Sequence, residues 1–254
     1  CTQKSIDFAK VNQKKPFFIY IPYSMPHIPL YVPDEVRDPN PKNAYINTIQ
    51  HIDSEVGRIL DTLDELKLTG KTYVIYTTDN GPWLSFRHHG GSAGPLRDGK
   101  GTTFEGGQRV PCVMRGPDIP AGTVCKDLIG TIDILPTFAA ITGTRLPKGK
   151  KIDGVNAIKS LTGKGKSKRN EFIYYTSRGE VEGIRQGKWK LLIKKKRGKS
   201  VGEKDIFLFD LEQDIGEQNN VASQKNNIVT KLQSHMQKLD AEITQNARTP
   251  WNKK

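Results

Sequence analysis

Two short apolar runs, separated by one long amphipathic stretch, set the fold. Residues 16–23, PFFIYIPY, are β-rich and almost wholly apolar, as in a strand covered on both faces. Residues 43–68 carry Ile46, Ile49, Ile52, Val56, Ile59, Leu60, Leu63 and Leu66 at helical spacing, and Gly70 closes the stripe. A second apolar run, TYVIYTT, follows at 72–78. Strand, long helix, strand is the order in which a crossover helix joins parallel neighbours. The spacing therefore predicts an α/β domain on a largely parallel sheet. In such sheets ligands sit beyond the carboxyl ends of the strands. That rule singles out the loop after residue 23, which carries His27, and the turn after residue 78, which carries Asp79 and Asn80.

Further along, seven glycines between Gly90 and Gly107 predict a loop of unusual backbone freedom. QRVPCVMRGP reads as a strand. DLIGTIDILPTFAAITG reads as a helix, with Asp133 near its start and Gly143 as its stop. From Lys148 to Asn170 the chain is rich in Lys, Gly and Ser and poor in apolar residues, the composition of a linker. EFIYYTSR, VEGIRQGKWKLLIKK and DIFLFDLEQD then read as an antiparallel sheet. A terminal amphipathic helix follows, with Ile228, Leu232, Met236, Leu239 and Ile243 on one stripe. Two domains are expected, 1–160 and 161–254.

At 35% hydrophobic and 26% charged, the 254 residues have the composition of a soluble globular protein. No apolar run approaches the ~20 residues of a membrane span, and no charged-then-apolar leader opens the sequence. Cys1, Cys112 and Cys125 lack metal-ligand spacing. Cys112 and Cys125, in apolar strand-like contexts, are expected as buried free thiols. The net charge of +13 is regional. Residues 145–204 hold 19 Lys or Arg against 5 Asp or Glu, leaving 21 against 22 elsewhere. Such a segment either attracts polyanions or is a solvated basic face. No nucleic-acid-binding motif accompanies it, so nucleic acid is not expected as a partner.

Asp79 and Asn80 offer only oxygen ligands, which suit calcium or magnesium rather than zinc. Asp, Asn and Gly are also ordinary turn formers, and on its own such a tripeptide at a strand end more often has a structural explanation. Lys100 sits in the glycine loop, where backbone can approach a phosphate or sulfate closely. A solvated loop lysine is the alternative, and Gly101 after it excludes a Walker loop. His27 is set between prolines on the strand-edge loop, where an imidazole could donate a proton to a leaving oxygen. His88 and His89 are candidates of the same kind.

In combination these residues form a pattern. KPFFIYIPYSMPHIPL, TDNGPW, GSAGPLRDGKGTTFEGGQRVP, TIDILPTFAAITG and IFLFDLEQDIGEQNN occur in the order found in sulfatases. Over essentially its whole length the chain resembles the arylsulfatase type of the alkaline-phosphatase-like superfamily, in its C-terminal portion. The resemblance implies an α/β core with a smaller C-terminal antiparallel sheet and helix. It implies hydrolysis of sulfate esters, aryl sulfates or sulfated glycans, at a calcium-bound formylglycine made from Cys or Ser in C/S-x-P-x-R. The basic region suggests a sulfated polysaccharide, and the expected setting is periplasmic or secreted. By resemblance, Asp79 and Asn80 match the downstream pair of calcium ligands and Lys100 the lysine that binds the sulfate group. His27 matches the histidine near the leaving-group oxygen, and His89 a histidine of the substrate-facing loop. The C/S-x-P-x-R motif and the upstream Asp-Asp metal pair do not occur in the 254 residues. Two rivals follow. A phosphatase or phosphodiesterase of the same superfamily is disfavoured by Asn80, where those enzymes carry a zinc-binding His. A non-catalytic polyanion-binding protein on a degenerate scaffold would account for the missing nucleophile.

Overall fold

The computed structural model describes residues 1–149, 151–195 and 204–248. They fall into two compact units, Cys1–Ala93 with Val110–Asp118, and Gly94–Arg109 with Ile119–Lys254. The division at residue 160 expected from composition concerns the domain plan of the family and stays a proposal.

In the first unit, helix α1 (Thr2–Asn12) buries Thr2, Ile6 and Ala9, and it packs on helix α2 (Ala44–Glu65). The Asn40 side chain accepts from the Lys42 amide and starts the 3-10 turn that leads into α2. The stripe expected over 43–68 turns Thr48, Ile52, Thr62 and Leu63 inward. Lys67, in the left-handed region at φ 56°, ends the run. Strand β1 (Val74–Thr77) pairs antiparallel with β2 (Cys112–Arg115), Val74 facing Arg115 and Thr77 facing Cys112.

Three expectations change here. Residues 16–23 form no regular element and join no ladder among the described residues, and Phe18 and Tyr20 are 70% and 78% exposed. A strand is covered on both faces only where sheet neighbours and helices lie beside it, and the described residues supply β1 with an antiparallel partner alone. Cys112 and Cys125 are exposed rather than buried, because these segments lie at the surface despite their apolar neighbours.

In the second unit, strands β3 (Glu171–Tyr175), β4 (Val181–Gln186), β5 (Trp189–Lys195) and β6 (Lys204–Asp210) form an antiparallel meander. The terminal helix (Asn226–Asn246) lays Val229, Leu232 and Met236 on Ile184, Leu191 and Leu208. The other face is covered as well. Leu192, Phe209 and Leu211 pack on Phe104, which the glycine-rich segment carries across the sheet. Because side chains alternate along a strand, β5 buries Leu191 towards the helix and Lys190 and Leu192 towards the glycine segment. Gly183 makes that second contact possible, since a Cβ there would lie 2.4 Å from Leu192 Cδ2.

The linker expected over 148–170 is folded and pinned. A short helix (Ile158–Leu161) lies within it, Ala157 is 1% exposed, and Asp127 accepts from Ser160 Oγ at 2.6 Å and the Ser167 amide at 2.7 Å. Arg169 forms a two-pronged pair with Asp133, Nε to Oδ2 at 2.8 Å and a terminal nitrogen to Oδ1 at 2.6 Å. Polar residues are tied here by hydrogen bonds rather than apolar burial, a bonding that composition does not reveal. Of the basic segment, residue 150 and residues 196–203, including Lys196, lie outside the described residues.

Candidate functional site

At the carboxyl end of β1 the chain turns at once. Thr78 Oγ1 donates to the Asn80 carbonyl at 3.2 Å, and Asn80 Nδ2 donates to the Gly81 carbonyl at 2.9 Å. The Asn80 side chain is thereby held by its nitrogen, and Oδ1 remains its open acceptor. Asp79 is exposed, and its carboxylate makes no hydrogen bond or ion pair among the described residues. An ordinary Asx turn needs the side-chain oxygen to accept from the amide two residues on. Asp79 makes no such bond, and for Asn80 that residue is Pro82, which has no N–H. The turn reading thus lacks its hydrogen bond, while two adjacent oxygens suit a hard cation. No cluster of three or more His, Cys, Asp or Glu that could hold a metal occurs among the described residues. The pair would supply two of the ~6–8 oxygens of a calcium shell.

The His27 loop lies beside this turn. The His27 amide donates to the Ser24 carbonyl at 3.2 Å, and Nδ1 donates to the Ile28 carbonyl at 2.8 Å. That bond leaves Nε2 for an external partner. The His27 ring stands 5.6 Å from that of Trp83, tilted by 57°, and Trp83 follows Asn80 by three residues. The aromatic contact therefore brings the His27 loop to the segment that follows Asp79 and Asn80. His89 closes a 3-10 segment (Leu84–His89), and its Nε2 donates to the Pro41 carbonyl at 2.8 Å. It anchors this loop to the start of α2, and Nδ1 is its remaining ring nitrogen for a ligand.

Lys100 belongs to the second unit. It is half-buried in a loop whose shape depends on Asp98 at φ 62° and Gly101 at φ 86°. The loop closes tightly on the short helix α3 (Glu105–Gln108). The Gly106 amide donates to the Arg97 carbonyl at 2.8 Å, and Thr102 Oγ1 donates to the Gly99 carbonyl at 2.9 Å. A Cβ on Gly106 would meet the Asp98 carbonyl oxygen at 2.2 Å, and one on Gly107 the Thr102 oxygen at 2.4 Å. Gly91, Gly94 and Gly101, at φ 82°, 60° and 86°, use the left-handed backbone freedom expected of this segment. Gly106 and Gly107 serve close approach of backbone to backbone.

The residues behind the loop were not singled out by sequence. Lys190 Nζ donates to Glu105 Oε1 at 2.9 Å and lies 2.9 Å from Glu217 Oε1. Lys190 and Glu217 are fully buried and Glu105 is nearly so. Burial pushes the Glu217 carboxyl up, offset in part by the Lys190 charge and the bond from the Glu105 amide. A signal was present: Lys190 shares the inward face of β5 with Leu192, and a charge there demands a buried partner.

A sequence-family model described as Sulfatase matches residues 1–144, and one described as N-sulphoglucosamine sulphohydrolase, C-terminal, matches residues 98–242. Arylsulfatase A of Bos taurus is 37% identical over 183 residues, covering 70% of this chain and 36% of that protein. N-acetylgalactosamine-6-sulfatase of Canis lupus familiaris is 35% identical over 176 residues, 68% of this chain and 34% of that one. Among solved structures, a Bacteroides thetaiotaomicron protein described in connection with the metabolism of multiple glycosaminoglycans superposes with a TM-score of 0.83 at 26% identity. It covers 94% of this chain and 53% of its own. Ps i-CgsB, in complex with k-i-k-neocarrahexaose, superposes with a TM-score of 0.80 at 28% identity and the same coverage. The chain spans about a third of the length of the curated relatives it matches. The α/β, alkaline-phosphatase-like fold expected from the motifs is the fold of these neighbours.

Proposed function

Because this chain belongs to the sulfatase family, we propose that it forms the C-terminal portion of a sulfuric-ester hydrolase acting on an aryl sulfate or a sulfated glycan. The observation that carries this reading is the turn after β1, where Asp79 has no partner among the described residues, Asn80 keeps Oδ1 open, and the following Trp83 packs on the His27 ring. In this reading residues 1–160 belong to the α/β core and 161–254 form the C-terminal subdomain. The setting is periplasmic or secreted.

Asp79 and Asn80 hold part of a calcium site, which magnesium could fill. The cation supplies charge stabilisation to oxygens that become more negative as the sulfate ester is cleaved. Lys100 binds the sulfate oxygens from the glycine loop, with a positive charge where negative charge grows. His27 accepts the orienting constraint of the Ile28 carbonyl at Nδ1 and protonates the leaving oxygen from Nε2. His89 contacts the substrate through Nδ1. The formylglycine that supplies the attacking oxygen in this family would come from residues outside these 254, since no C/S-x-P-x-R occurs among them. The glycan part of the reading is supported by neighbours whose descriptions concern glycosaminoglycans and a carrahexaose. Asn80 disfavours the zinc phosphatase reading, because its open ligand atom is an oxygen.

The test uses the full-length enzyme with Asp79→Ala and Lys100→Ala, assayed with an aryl sulfate and analysed for bound calcium. Asp79→Ala is expected to lose the metal, and each variant to lose about 10²–10³-fold in turnover, as when a group stabilising developing charge is removed. Full turnover and undiminished calcium in Asp79→Ala would overturn the assignment.

A further inference from the structure

The second unit contains a buried charge cluster that the proposed chemistry does not use. Lys190 reaches across from β5 to Glu105 and Glu217. The Glu105 amide donates to Glu217 Oε2 at 2.6 Å, and Arg97 donates to the Glu217 carbonyl at 2.7 Å while its guanidinium lies 4.0 Å over the Phe104 ring. Arg185 stands 3.6 Å from Glu105 Oε2. Glu217 itself is in the left-handed region at φ 53°, a conformation held against its intrinsic cost by these contacts. A second tie runs alongside. Lys194 Nζ donates to Glu182 Oε2 at 2.6 Å and to Thr103 Oγ1 at 3.0 Å, and Thr103 also donates to Glu182.

These contacts converge on residues 97, 103 and 105, the two ends of the short segment that carries Lys100. A buried ion triad is a poor way to gain stability, because desolvation offsets much of the attraction. A packed apolar group would serve the core as well. What the triad supplies instead is direction, since each charge must meet its partner at one distance. We propose that Glu105, Lys190 and Glu217 are positioning residues that hold the Lys100 loop in the geometry that receives the sulfate group. This inference rests on the reading of Lys100 as the sulfate-binding lysine.

The experiment is a double-mutant cycle in the full-length enzyme, with kcat and KM for an aryl sulfate and the inhibition constant of inorganic sulfate as readouts. The variants are Lys100→Ala, Lys190→Met, Glu217→Gln and the two doubles that combine Lys100→Ala with each of the others. Glu180→Gln, at the exposed pair with Lys195, is the control. Circular dichroism fixes a temperature at which every protein compared is folded. Lys190→Met and Glu217→Gln are each expected to weaken sulfate inhibition about tenfold, since a displaced binding group loses roughly that much or more. Each is expected to add nothing to the loss in Lys100→Ala. An inhibition constant unchanged in folded Glu217→Gln, or losses that add to that of Lys100→Ala, overturns the inference. If Lys190→Met does not fold, Glu217→Gln, which keeps the side-chain shape, decides together with Glu182→Gln at the partly exposed tie. If Lys100→Ala itself leaves sulfate inhibition unchanged, the assignment of Lys100 fails, and the positioning claim with it.

Discussion

Asp133 illustrates how a single carboxylate can hold a segment in place. It is 1% exposed, and its oxygens accept from Gly130 and Val155 amides at 2.8 and 2.7 Å as well as from Arg169. Burial pushes its carboxyl up, but the Arg169 hydrogen bonds and the two amides together hold it below the usual range. A carboxylate whose folded value is depressed stabilises the protein above its unfolded value, and that contribution is lost as pH falls through the folded value. Stability is therefore expected to drop below about pH 4, the unfolded Asp value. Asp133→Asn should flatten that acid limb in urea titrations. At neutral pH the same variant leaves the Arg169 side chain, 9% exposed, without its counter-charge and should cost about 3–5 kcal/mol. A wild-type acid limb retained in Asp133→Asn would show that other carboxylates govern it.

At the level of elements, β5 carries the second unit because it is buried on both faces. Leu191 faces the terminal helix and Leu192 faces Phe104, and both are fully buried. Leu191→Ala is expected to destabilise the protein by about 2–5 kcal/mol, measured by chemical denaturation, since a methyl-rich side chain is lost and a cavity is left. A change below 1 kcal/mol, on the order of a surface substitution, would mean that the helix does not seat on this strand. Element identity was largely legible. The period of 3.6 revealed α2 and the terminal helix, and three apolar runs marked the antiparallel sheet, the middle one dividing at Gly187–Lys188 into β4 and β5. The Lys148–Asn170 segment was misread as a linker, because its order comes from Asp127, Asp133 and Arg169, and side-chain bonding over 16 to 40 residues leaves no local periodicity.

For the whole molecule, the absence of C/S-x-P-x-R leads us to expect no sulfate-ester turnover from these 254 residues alone. His27 and Lys100 can stabilise a transition state but do not provide the attacking oxygen. Aryl sulfatase activity in the isolated chain, abolished by Lys100→Ala, would require a different nucleophile. The basic segment can be tested too. Lys190, Lys194 and Lys195 are engaged with carboxylates, whereas Lys159 and Lys168 are exposed. Lys159→Ser with Lys168→Ser should elute from heparin at lower salt than the parent chain, since exposed charges are screened over ~10 Å at 0.1 M. Lys194→Ser should move elution less. Equal elution of parent and double variant would leave this face a solubilising one. The primary structure alone specified the family motifs, the helical and strand periods and the oxygen-only pair at residues 79 and 80, because each is written in residue type and short-range spacing. Folding was needed to seat Glu217 against Glu105 across 112 residues and to bury Lys190 between them. Such pairings depend on which strand faces which loop, and no short stretch of sequence records that.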